Sequence, residues 1–217
     1  MRKQHELEFG LTIPQGWRGG DLPLEEENDP VKQYEFSKSI SVAADRIGFD
    51  SIYAYDHFIP FYSEDRDKNI FECFTLLSAL AAITERIKIG QIVHADRYNL
   101  FFGTLNEMET KISLLKEHCK SIGRDDKELQ YSIVLPCIIK GTDQEVNQVL
   151  VQYKRKDKTS EEYLQYLVGG VAVGTPEKVL QGIKKYIDIE VTHFILHFIG
   201  LYETTLRLFD AKVIRSA

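Results

Sequence analysis

The sequence predicts an α/β fold in which parallel strands alternate with helices. Short apolar runs rich in β-branched residues alternate along the 217 residues with longer segments that carry apolar residues at helical spacing. The helical segments have start and stop signals, such as Asp29-Pro30 before the first segment and Gly48 after it. This alternation is typical of βα units on a parallel sheet, and the chain holds about six of them.

The first half of the chain supplies three strands and two helices. Glu8 to Pro14 predicts the first strand. The first helix follows at 29–48, because Asp29 is a favoured N-cap residue and Pro30 suits the first helical position. The next elements are a second strand at 51–55, a helix at 71–84 and a third strand at 87–93.

The second half has equally clear helix starts. Thr104 with Glu107 and Thr142 with Glu145 form T-x-x-E capping boxes, and Thr175-Pro176 is an N-cap followed by proline. These signals place helices after 104, 142 and 175. The remaining elements are an apolar run at 98–102, a strand at 131–139, a helix at 160–167, a strand at 193–199 and a helix at 201–214.

Composition excludes several classes of protein. The formal charge of −6 gives no electrostatic footprint for nucleic acid. No apolar run approaches the ~20 residues of a membrane span, and residues 1–8 lack the apolar region of a signal peptide. Cys73, Cys119 and Cys137 are odd in number and widely spaced, which argues against disulfides and zinc. We therefore expect a single domain over 1–217 in the cytoplasm, without nucleic-acid or membrane partners.

Local catalytic signatures are absent from the sequence. There is no GxGxxG after a strand, no Walker loop, no HExxH and no GxSxG. Gly169-Gly170 and Gly174 do not have dinucleotide-binding spacing and favour a turn.

Polar residues instead follow the predicted strands, where α/β sheets and barrels place their ligand sites. Asp56-His57 comes directly after the second strand, and an imidazole suits proton transfer near neutral pH. The same pair could equally be a loop-anchoring aspartate beside a surface histidine. Gly90 to Val93 closes the third strand, where a glycine indicates either a close approach to something flat or simply a strand end.

Two further features leave alternatives open. His193 and His197 fall on one face of the last strand and could ligate a metal or line a pocket. Buried histidines satisfied by neighbours are the more common arrangement. Trp17-Arg18, in a glycine-rich stretch after the first strand, could cover a planar ligand or form an exposed loop.

Six segments, in this order, resemble the bacterial luciferase-like monooxygenase family, particularly its coenzyme F420-dependent branch. They are EFGLTIPQG, AADRIGFDSIYAYDHFIP, FECFTLLSALAAITERIKIGQIV, VGTPEKVLQGIKKYI, THFILHF and ETTLRLF. The resemblance implies a TIM-type (β/α) barrel with FMN or F420 at the carboxyl ends of the strands. It also implies an oxidoreductase, of monooxygenase or hydride-transfer type, that acts on a small organic substrate.

The resemblance also implies roles for particular residues. His57 would be the polar or acid/base contact at the cofactor ring, and Asp56 would orient it. Ile92-Val93 would back the ring, with a non-prolyl cis peptide bond in many family members. The residues expected to bind the cofactor are Ile13, Gly90, Gln91, Ile92, Val93, Gly174 and Thr175.

The chain departs from the family pattern after about residue 93. It passes from GQIV directly to HADRYNLFFGTLNEMETK, which resembles the sixth unit of the family, so about two βα units of ~30 residues each are missing. A glycine-rich phosphate-binding loop is lost with them. The sequence therefore predicts an incomplete barrel that either closes with fewer strands or forms a homodimer in which open edges meet. The competing functional hypothesis is a degenerate, non-catalytic member that serves as a cofactor-binding or interaction module.

Overall fold

The computed structural model describes residues 7–16, 29–55, 69–91, 97–101, 104–154, 158–167 and 171–216. The strands are β1 (Glu8–Thr12), β2 (Ser51–Ala54), β3 (Lys88–Gln91), β4 (Arg97–Phe101), β5 (Gln130–Ile139), β6 (Val173–Gly174) and β7 (Val191–Phe198). The helices are α1 (Pro30–Ile47), α2 (Cys73–Ala81), α3 (Leu105–Ile122), α4 (Asp143–Tyr153), α5 (Ser160–Tyr166), α6 (Pro176–Ile187) and α7 (Glu203–Lys212).

All strand pairs in the sheet are parallel. The strand order is β3-β2-β1-β7-β5-β4, and β6 pairs with the carboxyl end of β5. Strand β7 thus returns to pair with β1, as the last strand of a TIM-type barrel does. The predicted fold class is confirmed: an α/β fold with the strand order of an incomplete (β/α) barrel.

The helix starts predicted from local signals are confirmed. The Asp29 carboxylate accepts from two backbone N–H groups of α1, and Gly48 ends that helix at φ 116°. Both predicted capping boxes are formed, at Thr104 and at Thr142. Helix α2 begins later than predicted because Glu72 caps it, accepting from two backbone N–H groups, and it ends at Ala81 rather than at residue 84. Within the part of the chain that the structure describes, no helix is long and apolar enough to cross a membrane.

Aromatic packing fixes helix α7 against one face of the sheet. The Phe209 ring of α7 lies 5.8 Å from the Phe9 ring of β1 and 5.4 Å from the Phe198 ring of β7, measured between ring centroids. Phe49, which precedes β2, stacks on Phe209 at 6.0 Å. These rings are almost fully buried. Since burying a phenylalanine stabilises a fold by about 1.5 to 3 kcal/mol, this cluster holds α7 against the first and last strands.

The sheet is open between β3 and β4, a gap we call the seam. Each of these strands pairs on one side only among the residues described, β3 with β2 and β4 with β5. Gln91 ends β3 and Arg97 begins β4. A link this short cannot hold the helical crossover of a dozen or more residues that joins neighbouring parallel strands. It also limits the distance between the Gln91 and Arg97 Cα atoms to about 21 Å.

Candidate functional site

The face of the sheet opposite the phenylalanine cluster carries hydrogen-bonding side chains, and we call it the inner face. Because side chains alternate between the two faces of a strand, every second residue of β1, β2, β5 and β7 belongs to it. The polar members that concern the site are Thr12, Tyr53, Tyr55, Ser132, His193 and His197.

His193 joins three strands in the middle of the inner face. Its Nδ1 lies 3.0 Å from Ser132 Oγ on β5, and its Nε2 lies 3.4 Å from the Tyr53 hydroxyl on β2. The imidazole is 1% exposed. Both ring nitrogens therefore have hydroxyl partners, which is the arrangement expected of a satisfied buried histidine. Within the described ranges, no group of three metal-ligating side chains could hold an ion.

Two glycines make room for the Tyr53 ring. A Cβ atom added at Gly90 would lie 2.7 Å from Tyr53 Cε1, and one added at Gly10 would lie 2.8 Å from Tyr53 Cε2. The ring thus crosses the inner face from β2 towards His193. The close approach that Gly90 indicated is made by this tyrosine, while a role for Gly90 in cofactor binding stays a prediction.

A second cluster lies nearer the carboxyl ends of the strands. Thr12 Oγ1 and His197 Nδ1 are 3.0 Å apart, and the Tyr55 ring lies 6.4 Å from the His197 ring between centroids. His197 is 4% exposed. We call Thr12, Tyr55 and His197 the carboxyl-end cluster. It places a hydroxyl, a phenol and an imidazole at the end of the barrel where TIM-type enzymes bind their ligands.

Gln15 connects this end of β1 to β2. Its Oε1 accepts from the Tyr55 backbone N–H at 2.6 Å, and its Nε2 donates to the Tyr55 carbonyl at 2.9 Å. The same Nε2 donates to the Phe71 carbonyl at 3.2 Å, and Phe71 N–H donates back to the Gln15 carbonyl at 3.0 Å. Gln15 is 1% exposed. Its side chain therefore fixes the backbone immediately before Asp56.

Lys140 is a half-buried cation at the carboxyl end of β5. Its Nζ donates to Thr205 Oγ1 at 3.5 Å and lies 5.7 Å from the centroid of the Tyr202 ring. Burial lowers the pKa of Lys140, and the nearby Glu145 carboxylate partly opposes that shift. Lys140 forms no ion pair with the residues described. A desolvated ammonium without a carboxylate partner is suited to binding an anion.

Several residues predicted from the sequence to form the site lie outside the described residues. These are Trp17, Arg18, Asp56, His57, Ile92 and Val93. Gln91 lies at the end of β3, and its backbone pairs with Ala54. The proposed roles of these six residues and of Gln91 stay predictions.

The other predicted residues are spread around the barrel. The Ile13 side chain packs in the main hydrophobic core, and its backbone N–H donates to the Tyr53 carbonyl at 2.8 Å. Gly174 and Thr175 lead into α6, where the Gly174 carbonyl accepts from the Lys140 N–H at 3.3 Å. This pair is separated from Gly90 by β2, β1, β7 and β5 in the strand order. The structure thus places Gly174-Thr175 beside Lys140 and away from Gly90 in the strand order.

Gln15, Thr12, Tyr53 and Ser132 belong to the site but were not predicted from the sequence. Period-two alternation was the available signal, since it places Thr12 and Tyr53 on the inner faces of their own strands. It does not reveal which strands are neighbours. The contacts of His193 with Ser132 and Tyr53 depend on that order.

The strand order and the alternating helices define the fold class as an incomplete (β/α) barrel. Residues 9–95 match the luciferase-like monooxygenase family, which confirms the resemblance seen in the sequence. The chain is also similar to pyrimidine monooxygenase RutA of Rhizobium rhizogenes (strain K84 / ATCC BAA-868), with 38% identity over 87 residues. That alignment covers 38% of this chain and 23%, about a quarter, of the relative.

Solved structures share the fold over nearly the whole chain. An F420-dependent secondary alcohol dehydrogenase in complex with an F420–acetone adduct has a TM-score of 0.71 at 9% identity, covering 98% of this chain and 100% of that one. The oxygenating constituent of 3,6-diketocamphane monooxygenase from the CAM plasmid of Pseudomonas putida, in complex with FMN, has a TM-score of 0.67 at 11% identity, covering 96% and 98%. Coenzyme F420-dependent tetrahydromethanopterin reductase from Methanopyrus kandleri has a TM-score of 0.64 at 13% identity, covering 98% and 99%.

Proposed function

We propose that this chain is a luciferase-like oxidoreductase that binds F420 or FMN at the carboxyl ends of its strands and acts on a small organic substrate. The carboxyl-end cluster is the observation that carries the proposal. Its buried hydrogen-bonding groups lie near the carboxyl ends of the strands, and solved structures with the same fold include complexes with F420 and FMN, which supports the proposal.

The residues present fit such a cofactor in two respects. A flavin or deazaflavin ring carries carbonyl and nitrogen atoms along its edge, and Thr12, Tyr55 and His197 offer matching donors and acceptors. The phosphate requires a cation or free N–H groups. Lys140, whose backbone N–H donates to the Gly174 carbonyl, would supply the cation and would replace part of the phosphate contacts of the missing glycine-rich loop.

When bound, F420 or FMN would supply the hydride-transfer or oxygenation chemistry. The protein would position the reactants and move protons. His57 would exchange a proton with the substrate or the ring through its imidazole, which ionises near neutral pH. Asp56 would orient that imidazole, and Ile92-Val93 would support the ring from behind.

Titration of the purified protein with F420 and with FMN, followed by fluorescence quenching, tests the proposal. We expect saturable binding of one of the two cofactors. The preferred cofactor would also decide between the deazaflavin and flavin branches. Absence of binding for both at high micromolar concentration would exclude the enzyme.

A non-catalytic module that binds the cofactor or a partner is the alternative function. The open seam and the limited family match, which ends at residue 95, favour it. The oxidation of reduced FMN by oxygen separates the two functions. An oxidation rate equal to that of free FMN, measured with saturating protein, supports the binding module, whereas an altered rate supports the oxidoreductase.

A further inference from the structure

We infer that the groove between α1 and α7 binds a small multivalent anion of the condensed-phosphate class, with Arg46 and Arg207 as its main contacts. The two helices pack against each other on the outside of the sheet. The residues that line the groove belong to the part of the chain that the structure describes, and neither Lys140 nor the carboxyl-end cluster is among them. The inference is therefore independent of the proposed function.

The groove consists of two adjoining hollows of about 300 Å³ and 330 Å³. Arg46 of α1 and Arg207 of α7 line both hollows, so the two side chains lie where the hollows meet. Arg215, which follows α7, lines the second hollow. Guanidinium groups from separate elements of the fold therefore face one space.

The groove carries four cations and three carboxylates. In chain order these side chains are Glu35, Lys38, Arg46, Glu203, Arg207, Asp210 and Arg215. Each carboxylate has a nearby cation as its partner: Glu35 with Lys38 at 3.0 Å, Glu203 with Arg207 at 2.5 Å and Asp210 with Arg215 at 2.9 Å. Arg46 is the remaining cation. The groove thus has a local excess of positive charge on a chain whose formal charge is −6.

Arg46 is exposed and forms no hydrogen bond or ion pair with the residues described. It lies in the last turn of α1, where a positive charge is favourable to the helix dipole. That interaction uses none of its N–H donors, because the Gly48 N–H bonds the Ala44 carbonyl at this helix end. A guanidinium with its donors available binds phosphate oxygens in a bidentate manner.

Arg207 also keeps donors available, although it has an ion-pair partner. Its Nε and Nη2 both donate to Glu203 Oε1, at 2.9 Å and 2.5 Å. Arg215 uses the same two nitrogens towards Asp210. Both side chains therefore retain Nη1, for which the described residues supply no acceptor. An anion with several oxygens can accept from Arg46 and Arg207 at the same time.

The composition of the groove favours a condensed phosphate among the anions. Because Glu203 and Asp210 lie beside the arginines, an anion with a single charge gains little there, whereas a multivalent one gains from several cations. The described lining residues include no aromatic ring on which a nucleotide base could stack. Inorganic pyrophosphate is the simplest ligand with several charges and no base.

Titration of the labelled protein with inorganic pyrophosphate tests the inference through the arginine Nε–Hε signals in NMR spectra. We expect the signals of Arg46 and Arg207 to shift saturably, with a Kd below about 1 mM. The signal of Arg124, an exposed arginine outside the groove, should not saturate in this range. Sulfate at equal ionic strength should shift the groove signals less. No saturation, or equal shifts with sulfate, overturns the inference.

Variants of Arg46 separate bidentate contact from charge alone. Arg46→Gln should weaken pyrophosphate binding roughly 10-fold, as followed at the Arg207 signal. Arg46→Lys keeps the charge but loses the planar fork, so it should weaken binding by about 3-fold. Unchanged affinity in Arg46→Gln contradicts the assignment. Lys140→Met should bind like the wild type, and a loss of binding in this variant alone would place the pyrophosphate at Lys140 instead.

Glu203→Gln should have the opposite effect. It removes a repelling carboxylate and frees two donors of Arg207, so pyrophosphate should bind roughly 2- to 5-fold more tightly. Glu161→Gln is the matched control, since Glu161 also lies in the first turn of a helix, α5, but does not line the groove. Equal tightening in both variants would indicate a general effect of net charge and would overturn the inference.

Discussion

At the scale of single residues, substitution of Lys140 tests whether a cofactor phosphate binds beside its side chain. We expect Lys140→Met, which keeps the alkyl stem, to weaken FMN binding roughly 10- to 100-fold, because a charge-assisted contact is lost. Riboflavin lacks the phosphate, so its affinity should not change. Fluorescence titrations with both ligands measure the difference.

Lys178 provides the matched control for Lys140. It is an exposed lysine in the same region, and its Nζ lies 2.7 Å from the Asp143 carboxylate. Lys178→Met should bind FMN like the wild type. A parallel loss of FMN and riboflavin binding in Lys140→Met would contradict the phosphate assignment, since it would indicate a general disturbance of the site.

Gly90 and Tyr53 form a second pair that can be tested at this scale. Gly90→Ala would place a methyl group against the Tyr53 ring, 2.7 Å from Cε1, and should lower the free energy of unfolding by about 1 to 3 kcal/mol. In a Tyr53→Ala background the same substitution should cost little, because the obstacle is gone. Urea unfolding of both single variants and the double variant measures this coupling. Additive effects would show that the ring does not occupy this space.

At the scale of elements, Asp45 joins α1 to the start of β3. Its carboxylate accepts from the backbone N–H groups of Glu85 and Ile87 at 2.7 Å and 2.9 Å, and more weakly from Arg86. Burial raises the pKa of Asp45, but these bonds and the Arg86 guanidinium outweigh burial and hold it below the ordinary value. The ionised carboxylate therefore stabilises the fold.

The direction of the Asp45 pKa shift determines how its contribution to the free energy of unfolding changes with pH. Because the pKa of Asp45 is lower in the folded chain, its contribution is present above the unfolded value of about 3.9 and is lost as pH falls through the folded value. Asp45→Asn should cost about 1 to 3 kcal/mol near pH 7, with the deficit narrowing below about pH 4. Urea unfolding across this pH range, with the exposed Asp143→Asn as control, measures it. A deficit independent of pH would contradict the assignment.

Elements with strong local signals could be predicted from the sequence almost to the residue. Helix α1 begins at Pro30 and ends before Gly48 because an N-cap, a proline and a glycine act locally. The apolar run at 98–102 gave no comparable signal, and the structure makes it strand β4. The two residues of β6 show no periodicity at all, and their strand character comes only from pairing with β5.

The candidate site was less predictable, because its contacts also depend on strand pairing rather than on local signals. Asp56 and His57 could be proposed from their position after a strand, and His193 and His197 from their shared face. The partners of these histidines, and the part played by Gln15, depend on which strands are adjacent. That order is a property of the whole sheet and cannot be obtained from local spacing.

At the scale of the whole molecule, the seam leaves two strand edges without a partner in the described part of the chain. Successive amides along a strand point to opposite sides. Since Lys88 N–H donates to the Asp50 carbonyl, the Ile89 N–H faces the seam. Strand edges without a partner invite pairing with another chain. We therefore expect the seam to be covered by a second copy of the chain.

Ile89→Pro tests this expectation, because proline removes the outward N–H while the ladder bond of Lys88 stays intact. Sedimentation equilibrium should show a wild-type dimer and a monomeric Ile89→Pro variant. Ile89→Ala is the control, since it shortens the same side chain but keeps the N–H, and it should remain dimeric. A monomeric wild type contradicts edge pairing and favours a barrel that closes on itself. If the Ile89→Pro variant is still a dimer, the interface does not involve the β3 edge, and edge pairing at the seam is wrong.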